Sequence, residues 1–240
     1  MIRFESISDD DPVLAHSPMV RGAVKVLDYV TENGPIGLTE SKGLKRHFVH
    51  WAAREFGWPG MTEEILFAVN KVLNEYDYPP LVMLHDLLIH LKIARHYKKA
   101  FHITKAGQAL VGKPGKLFGI LTPYYLFEVN HSSLARLGGE LLGSWDLFLN
   151  VLNVEAEDGI TADEYTWTLF DQKSEEEEKV RLIPHIVYSQ VLRPLCWAGL
   201  LSEYKSGRGN LKDRVYIKTP LWKAALKLET DAMVSKAVRH

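Results

Sequence analysis

The feature that most constrains the fold is an alternation of helical and extended patterns within Arg181–Leu228. An apolar segment with helical spacing comes first, and two extended segments follow it, separated by a polar, Gly-rich turn. A threonine and a proline then mark the start of another helix. In chain order these segments are Ile183–Ala198, Leu200–Tyr204, Lys205–Asp213, Arg214–Lys218 and the helix that begins at Thr219-Pro220.

A shorter version of the same order closes the first half of the chain. It starts with the apolar helix Pro80–Leu91 and ends with a helix that follows Thr104. Between them, the extended segments Lys92–Tyr97 and Phe101–Ile103 are joined by a tight turn at Lys98-Lys99. A helix, a two-stranded ribbon, a threonine and a second helix are typical of the closing half of a winged helix-turn-helix unit. The sequence therefore predicts two such units.

The segments that precede each ribbon fit this interpretation. Val20–Thr31 and Leu141–Val154 both carry apolar stripes at helical spacing, and each is followed by further helical segments. We therefore predict a mainly α protein with small β-ribbons, built from tandem winged helix-turn-helix units over residues 18–112 and 138–230. The aromatic-rich residues 113–137 are predicted to form a helical connector between the two units.

Two local predictions concern the N-terminus and the third helix. Residues 1–17 are acidic and irregular, so we expect them to be poorly ordered. A helix capped by Thr62 is predicted to continue to about Glu75, because the next helix-breaking residues are Pro79 and Pro80.

The composition favours a soluble, cytoplasmic protein that does not interact with membranes. Cys196 is the only cysteine, which excludes a disulfide within one chain and fits a reducing compartment. The N-terminus is acidic where a signal peptide would be basic and apolar. The strongly apolar run Leu117–Phe127 is too short to span a bilayer.

The charge balance requires any nucleic-acid contact to be local. The chain contains 29 Lys and Arg residues and 30 Asp and Glu residues, so no global field attracts a polyanion. Basic and polar residues nevertheless cluster in the segments that a winged unit would present to DNA. These candidate duplex-DNA contacts are Lys42, Lys45 and Arg46 around the start of the second helix, Arg95, Lys98 and Lys99 in the first ribbon, Ser189, Gln190 and Arg193 in the second apolar helix, and Lys205, Arg208, Lys212 and Arg214 in the second ribbon.

Two functions remain open from these observations. The first is a non-enzymatic duplex-DNA-binding or transcription-regulatory role; the second is a protein-interaction module that binds a partner chain or forms a homodimer. The neutral charge and the apolar character of Pro80–Leu91 favour the second, and the cations of the ribbons are also explained as solvated turn charges.

Signatures of enzymes and metal sites are missing from the sequence. There is no phosphate-binding glycine loop and no nucleophile elbow. His47 and His50 are spaced to place two imidazoles on one ion, but no acid or cysteine beside them completes a motif. We assign no catalytic residue, no metal site and no cofactor.

One resemblance is carried by short motifs in the first half. An apolar-Leu-Thr stretch ends at Thr39, a Gly-Leu-Lys-Arg sequence follows at Gly43–Arg46, and Ile103–Gly107 reads Ile-Thr-Lys-Ala-Gly. Over about residues 20–112 the chain is similar to uncharacterised bacterial winged-helix-like proteins related to rhizobial plasmid open-reading-frame products. The resemblance implies a fold; it brings no activity and no catalytic residues.

Overall fold

The structure is a computed structural model that describes residues 2–134, 141, 143–170, 178–205 and 213–237. The chain divides into two compact units. The N-terminal unit is Ser8–Leu121, and the C-terminal unit combines Met1–Ile7 with Thr122–His240. The division falls inside the helix Pro114–Phe127, which belongs to the segment predicted as a connector. The prediction of a mainly helical protein with small sheets is confirmed.

The first half of the chain alternates helices with short strands. In chain order the elements are β1 (Arg3–Phe4), α1 (Pro18–Asn33), β2 (Ile36–Gly37), α2 (Arg46–Glu55), α3 (Glu63–Val69), α4 (Pro79–His90), β3 (Ala94–Tyr97), β4 (Ala100–Ile103), α5 (Lys105–Gln108) and α6 (Pro114–Phe127). Single 3-10 turns at Pro12–His16 and Glu75–Asp77 precede α1 and α4.

Helix α1 forms where the sequence provides both a cap and an apolar stripe. The Ser17 hydroxyl accepts a hydrogen bond from the Val20 N–H, which satisfies one free donor of the first turn. Most of the predicted stripe is buried, including Val20 and Leu27, whereas Val24 is half-buried. Gly22 allows α4 to approach closely, because a Cβ at that position would lie 2.6 Å from Leu84 Cδ1. These contacts give the N-terminal unit a core between α1 and α4.

The predicted length of the third helix is wrong. Thr62 does cap it, but α3 ends at Val69, because Asn70 adopts an extended conformation. Both the backbone N–H and the side-chain amide of Asn70 donate to the Leu66 carbonyl, which holds Asn70 at the helix end. Glu75 therefore belongs to a separate 3-10 turn that leads into α4.

The sheet of the N-terminal unit contains the predicted ribbon and one additional strand. Its order is β2-β4-β3, and both pairings are antiparallel. His96 pairs with Phe101 and Tyr97 with Ala100, which confirms the predicted antiparallel ribbon. Ile36 of β2 pairs with Phe101 from the other side, so β4 is the central strand.

The second half of the chain repeats this order of elements. They are α7 (Trp145–Glu155), β5 (Ile160–Thr161), α8 (Ala162–Phe170), α9 (Glu178–Val187), α10 (Arg193–Ala198), β6 (Leu201–Lys205), β7 (Arg214–Lys218), α11 (Pro220–Ala225), β8 (Leu226–Lys227) and α12 (Asp231–Ala237). The sheet order β5-β7-β6 matches that of the N-terminal unit, and Glu203 pairs with Tyr216 in the second predicted ribbon. Cys196 lies in α10, where burial raises the pKa of its thiol.

Two predicted segments of the second half differ from the structure. The apolar helix Ile183–Ala198 is interrupted by a π-turn at Tyr188–Leu192. Pro194 has no N–H to donate one turn back, and Arg193 donates instead to the Tyr188 carbonyl, five residues earlier. The helix predicted from Leu141 begins at Trp145, because the Ser144 hydroxyl caps it.

The N-terminal residues are also better organised than their composition predicts. Arg3 and Phe4 pair with Lys227 and Leu226, so β1 and β8 form a two-stranded antiparallel sheet. The carboxylate of Asp9 accepts hydrogen bonds from the N–H groups of Gly115 and Lys116 at the start of α6. The expectation of a poorly ordered segment is therefore wrong, because these partners lie more than a hundred residues away in sequence.

A threonine fastens the base of each ribbon to the end of the preceding helical segment. The Thr104 hydroxyl lies 2.7 Å from the Lys92 carbonyl oxygen and 3.1 Å from that of Ile93. In the C-terminal unit, the Thr219 hydroxyl lies 2.6 Å from the Gly199 carbonyl oxygen. Each threonine also donates its backbone N–H to the carbonyl of the residue just before the first strand of the ribbon, and each begins the following helix.

The Thr219 hydroxyl generates a prediction about stability. Thr219→Val keeps the side-chain shape but leaves the buried Gly199 carbonyl without its donor, so the free energy of unfolding should fall by about 1–3 kcal/mol. Thr168→Val is the matched control, because that hydroxyl is exposed and bonds within its own helix. Urea unfolding of both variants measures the difference. Equal losses in the two variants would contradict the structural role of Thr219.

His131 is a buried histidine of the C-terminal unit that stays neutral when folded. Its side chain is 6% exposed, and its Nε2 lies 2.8 Å from the Tyr125 carbonyl oxygen, to which it donates. The Tyr125 and Trp145 rings contact it edge-on. Burial lowers the pKa of His131 to about 4, and the nearby Arg193 acts in the same direction.

This burial predicts acid lability. The ordinary pKa of histidine is about 6.5, so the unfolded chain binds the proton more tightly and folding loses free energy as pH falls from 6.5 towards 4. The loss amounts to about 3 kcal/mol. His131→Phe keeps a ring in place and should remove that part of the pH dependence of urea unfolding. His90→Gln, at an exposed position, should retain it.

Candidate functional site

The candidate site lies in the N-terminal unit, where the loop before α2 meets the ribbon. The Thr39 hydroxyl and N–H both bond to the Gly43 carbonyl, which closes a tight loop. Lys42 lies in that loop with a positive φ of 66°. The Lys45 N–H then donates to the Gly37 carbonyl of β2. The loop therefore ends beside the short outer strand of the sheet.

The turn of the ribbon reaches the same strand from the other side. Lys98 and Lys99 form the turn between β3 and β4, both with positive φ, 47° and 58°. The N–H of Leu38 donates to the Lys99 carbonyl at 2.9 Å. Since the backbones of Lys45 and Lys99 are bonded to the adjacent residues Gly37 and Leu38, the loop and the turn are close in space.

The cations predicted for the first half are all exposed, around the start of α2 and in the ribbon. We call this set the basic end; it consists of Lys42, Lys45, Arg46, Arg95, Lys98 and Lys99. Arg95 and Lys98 each lie 5.3 Å from the ring centroid of Tyr97, whose side chain is 49% exposed. Among the residues that the structure describes, no ion pair involves these cations. An unneutralised cationic surface favours an anionic partner.

A cavity of about 510 Å³ opens at the start of α2, within this surface. Its lining includes the hydroxyl side chains Thr39 and Ser41 and the cations Lys45 and Arg46. Lys45 occupies the N-cap position and provides no side-chain hydrogen bond to the first turn. The first turn of α2 is therefore left without a side-chain acceptor, a situation that attracts anions.

A buried hydrogen-bonded network connects this cavity with the ribbon. Glu75 lines the cavity and is 8% exposed, and its Oε1 lies 2.5 Å from Nδ1 of His85. Its Oε2 accepts from the Leu44 N–H just before α2. On the other side, His85 Nε2 lies 2.7 Å from Nε2 of His96, an exposed residue of β3. The network thus extends from α2 through α4 to the ribbon.

Sequence reasoning missed this network. In the sequence, His85 and His96 belong to no recognisable motif, and Glu75 was predicted to lie at the end of the helix capped by Thr62. The nearest signal was a histidine at position 85 inside a strongly apolar helix, because such a residue needs a buried partner. In the part of the chain that the structure describes, no group of three or more metal-ligating side chains is arranged to hold an ion.

The residues predicted to face a DNA groove in the second half are engaged within their own unit. Gln190 is 9% exposed, and its Oε1 accepts from the Leu141 N–H at 3.3 Å. The Ser189 hydroxyl donates to the Ile186 carbonyl. Arg193 donates to the Ser189 carbonyl, and its guanidinium lies 5.4 Å from the Trp197 ring centroid.

The second ribbon lacks a comparable set of exposed, unpaired cations in its described part. Arg208 and Lys212 lie outside the described residues. Arg214 is paired with Glu203 at 3.1 Å and lies over the Tyr188 ring, and it is opposite Lys205 in the ribbon. The structure therefore leaves the predicted contacts of the first half exposed, whereas most of the described contacts of the second half are engaged within their own unit.

Fold and site together define a class: a mainly helical protein of two units, one of which carries exposed cations without ion-pair partners among the described residues, together with a buried Glu–His network. The chain belongs to the y4jL family. Its residues 15–116 match the Y4jL N-terminal domain and residues 135–220 match the y4jL C-terminal domain.

A relative supports the same assignment. The chain is 38% identical over 166 residues to the uncharacterized protein y4jL of Sinorhizobium fredii (strain NBRC 101917 / NGR234), which covers 69% of this chain and 76% of the relative. The resemblance to rhizobial open-reading-frame products is therefore confirmed, and it extends beyond the first half. No solved structure matches the chain.

The network makes a prediction about folding of the N-terminal unit. Glu75→Gln offers one oxygen to two buried donors, the Leu44 N–H and His85 Nδ1–H, so one donor must face an amide NH₂. The free energy of unfolding should fall by about 1–3 kcal/mol. Glu40→Gln, in the exposed loop before α2, should change it by less than about 0.5 kcal/mol. Urea unfolding compares the two, and equal stabilities would contradict the network.

Proposed function

We propose that this protein binds duplex DNA non-enzymatically through the basic end, in a transcription-regulatory role in the cytoplasm, and that its two units are tandem winged helix-turn-helix domains. The observation that carries the proposal is that the cationic loop and the cationic ribbon turn are bonded to the adjacent residues Gly37 and Leu38, and that these cations have no acidic partners among the described residues.

The topology supports the winged-helix interpretation. In each unit a helix leads to a short outer strand, further helices follow, and a ribbon then places its second strand in the centre of the sheet. The orders β2-β4-β3 and β5-β7-β6 are equivalent. In winged units the ribbon and the helix starts contact the DNA backbone. Those are the segments that form the basic end.

The chemistry of the basic end suits phosphate groups. Lysine and arginine side chains supply the electrostatic attraction, and the cavity at the start of α2 adds hydroxyl groups and a helix N-terminus. Tyr97, flanked by Arg95 and Lys98, adds an aromatic surface against which sugars can pack. Cations placed in this way require no positive net charge on the whole chain.

The exposure of α4 limits the specificity of such binding. Along this fully described helix the exposed polar side chains are Asp86 and His90, while the other polar residue, His85, is buried. Base edges are usually read by Arg, Lys, Asn or Gln. We therefore propose that the N-terminal unit contacts phosphates with little sequence preference, and we give Gln190, which is buried, no base-reading role.

A protein-interaction module is the second candidate, and one surface favours it. Apolar side chains at the end of α3 and in the loop after it are exposed. They are Ile65, Phe67, Val69, Val72 and Tyr76, with exposures of 50%, 36%, 79%, 46% and 75%. An exposed apolar patch of this kind is typical of interaction sites.

Salt-dependent binding separates these functions. We expect the wild-type protein to bind a labelled 20-base-pair duplex with micromolar affinity or tighter at low salt, as measured by fluorescence anisotropy. Lys98→Ala/Lys99→Ala should weaken binding at least tenfold and reduce the slope of log K against log salt by about 0.9 per lost phosphate contact. Lys71→Ala/Lys116→Ala removes the same charge from exposed positions elsewhere and should have less effect.

Other outcomes of these experiments would contradict the proposed role of the basic end in DNA binding. Absence of binding at low salt would exclude the DNA-binding proposal. Self-association measured by sedimentation, and lost in Val69→Lys, would then support the interaction module. Binding that is equally weakened in both double variants would show that the basic end has no special role.

A further inference from the structure

His96 is the exposed end of the buried network, and its side chain lies on the face of the ribbon opposite that of its neighbour Arg95 of the basic end. It belongs to β3, between Arg95 and Tyr97, and pairs with Phe101 across the ribbon. Its Nε2 lies 2.7 Å from Nε2 of His85, so the two rings share one hydrogen bond. The other nitrogen of His85 is bound to Glu75. The orientation of His96 therefore depends on groups that are buried.

The donors and acceptors of the network determine which nitrogen of each histidine carries a proton. A carboxylate only accepts, so His85 carries its proton on Nδ1 and donates to Glu75. In neutral His85, Nε2 is then an acceptor, and His96 must donate from its Nε2. One additional proton fits on His96 Nδ1 without breaking any of these bonds. A proton on His85 Nε2 would instead place an N–H on both of the facing Nε2 atoms, and the hydrogen bond between the two rings would be lost.

The charges around His96 oppose that additional proton in the free protein. Partial desolvation of the ring lowers the pKa of His96; a proton on His85 of α4 would lower it further, and the charge of Lys42 in the loop before α2 does lower it further. Glu75 of the 3-10 turn and Asp86 of α4 act in the opposite direction but do not compensate. On its own strand, Arg95 is the adjacent cation. His96 is therefore predominantly neutral at physiological pH.

We propose that His96 is a further phosphate-contacting residue of the basic end, and that it becomes an imidazolium when the duplex binds by taking one proton from solvent onto Nδ1. This inference rests on the proposed function. A phosphate beside Lys42 offsets the repulsion from that lysine and stabilises the imidazolium, while the hydrogen bond to His85, which is itself bonded to Glu75, holds the ring in place. The reaction is a protonation alone and needs no other reactant.

Proton uptake fixes the sign of the pH dependence. Because the bound phosphate raises the pKa of His96, the association constant increases as pH falls, by at most about tenfold per pH unit for one proton. The increase is confined to the window between the pKa of the bound form and that of the free form. Above and below this window, His96 contributes no pH dependence.

The experiment measures duplex affinity from pH 5.5 to 8.5 at constant ionic strength, for the wild type and three variants. His96→Gln should bind with a flatter pH profile and, near pH 6, more weakly than the wild type. His96→Lys carries its charge throughout and should bind more tightly than the wild type at pH 8, also with a flatter profile. His90→Gln, at an exposed position of α4, is the matched control and should keep the wild-type profile.

Calorimetry and NMR complete the test. Binding enthalpies at pH 6.5 in two buffers of different ionisation enthalpy should reveal an uptake of up to about one proton in the wild type, and much less in His96→Gln. NMR titration of the imidazoles in the free protein should place the pKa of His96 below its ordinary value. If the wild type binds DNA and His96→Gln keeps the same pH profile, the role of His96 is excluded while the proposed function stands. If the wild type does not bind at low salt, both fail.

Discussion

Hydrogen bonds from two buried or half-buried threonine hydroxyls support the rest of this structure. Thr104 and Thr219 each bond a carbonyl where a helical segment passes into a ribbon, and each also starts the helix that follows. A two-stranded ribbon alone is marginal in water, so it needs attachment to a core. In the N-terminal unit the attachment is tightened by Gly107, where an added Cβ would lie 2.2 Å from the Ile93 carbonyl oxygen. The position of every cation on the ribbon depends on this junction.

The two units share a topology but use their charges differently. In the C-terminal unit Glu203 pairs with Arg214 and Glu157 pairs with Lys218, so these ribbon cations are neutralised where they stand. In the described part of the N-terminal unit, the ribbon cations have no such partners. A net charge of −1 therefore conceals an uneven distribution. Because of this difference, we place the proposed DNA contacts on the N-terminal unit and not on the C-terminal unit.

Local signals were sufficient for much of the fold. Thr104 and Thr219, the Lys98-Lys99 turn and the alternation of apolar residues predicted both ribbons, because strands joined by short turns are determined by neighbouring residues. The early strand at Arg3–Phe4 pairs with residues near the opposite terminus, so no local pattern could indicate it. The helix after Thr62 was too long because the capping ability of Asn70 was overlooked.

The sequence predicted the charged residues of the candidate site but not its buried hydrogen-bonded network. The cations of the basic end could be named because lysines in loops and turns are almost always exposed. Glu75, His85 and His96 are separated by ten and eleven positions, and they meet only after α4 packs against the ribbon. Gln190 illustrates the reverse error: a helical spacing indicated an outward position, but the π-turn lies where the residue is buried.

The turn between β3 and β4 has an evolutionary consequence. Lys98 and Lys99 both adopt left-handed backbone conformations, which Asn and Gly occupy far more readily. A left-handed conformation costs roughly 1–2 kcal/mol for an ordinary residue. Selection for stability alone would favour Asn-Gly at this turn, and that exchange would remove both positive charges from the turn of the ribbon. Thermostable homologues that do not use the proposed phosphate contact should therefore lose this lysine pair first.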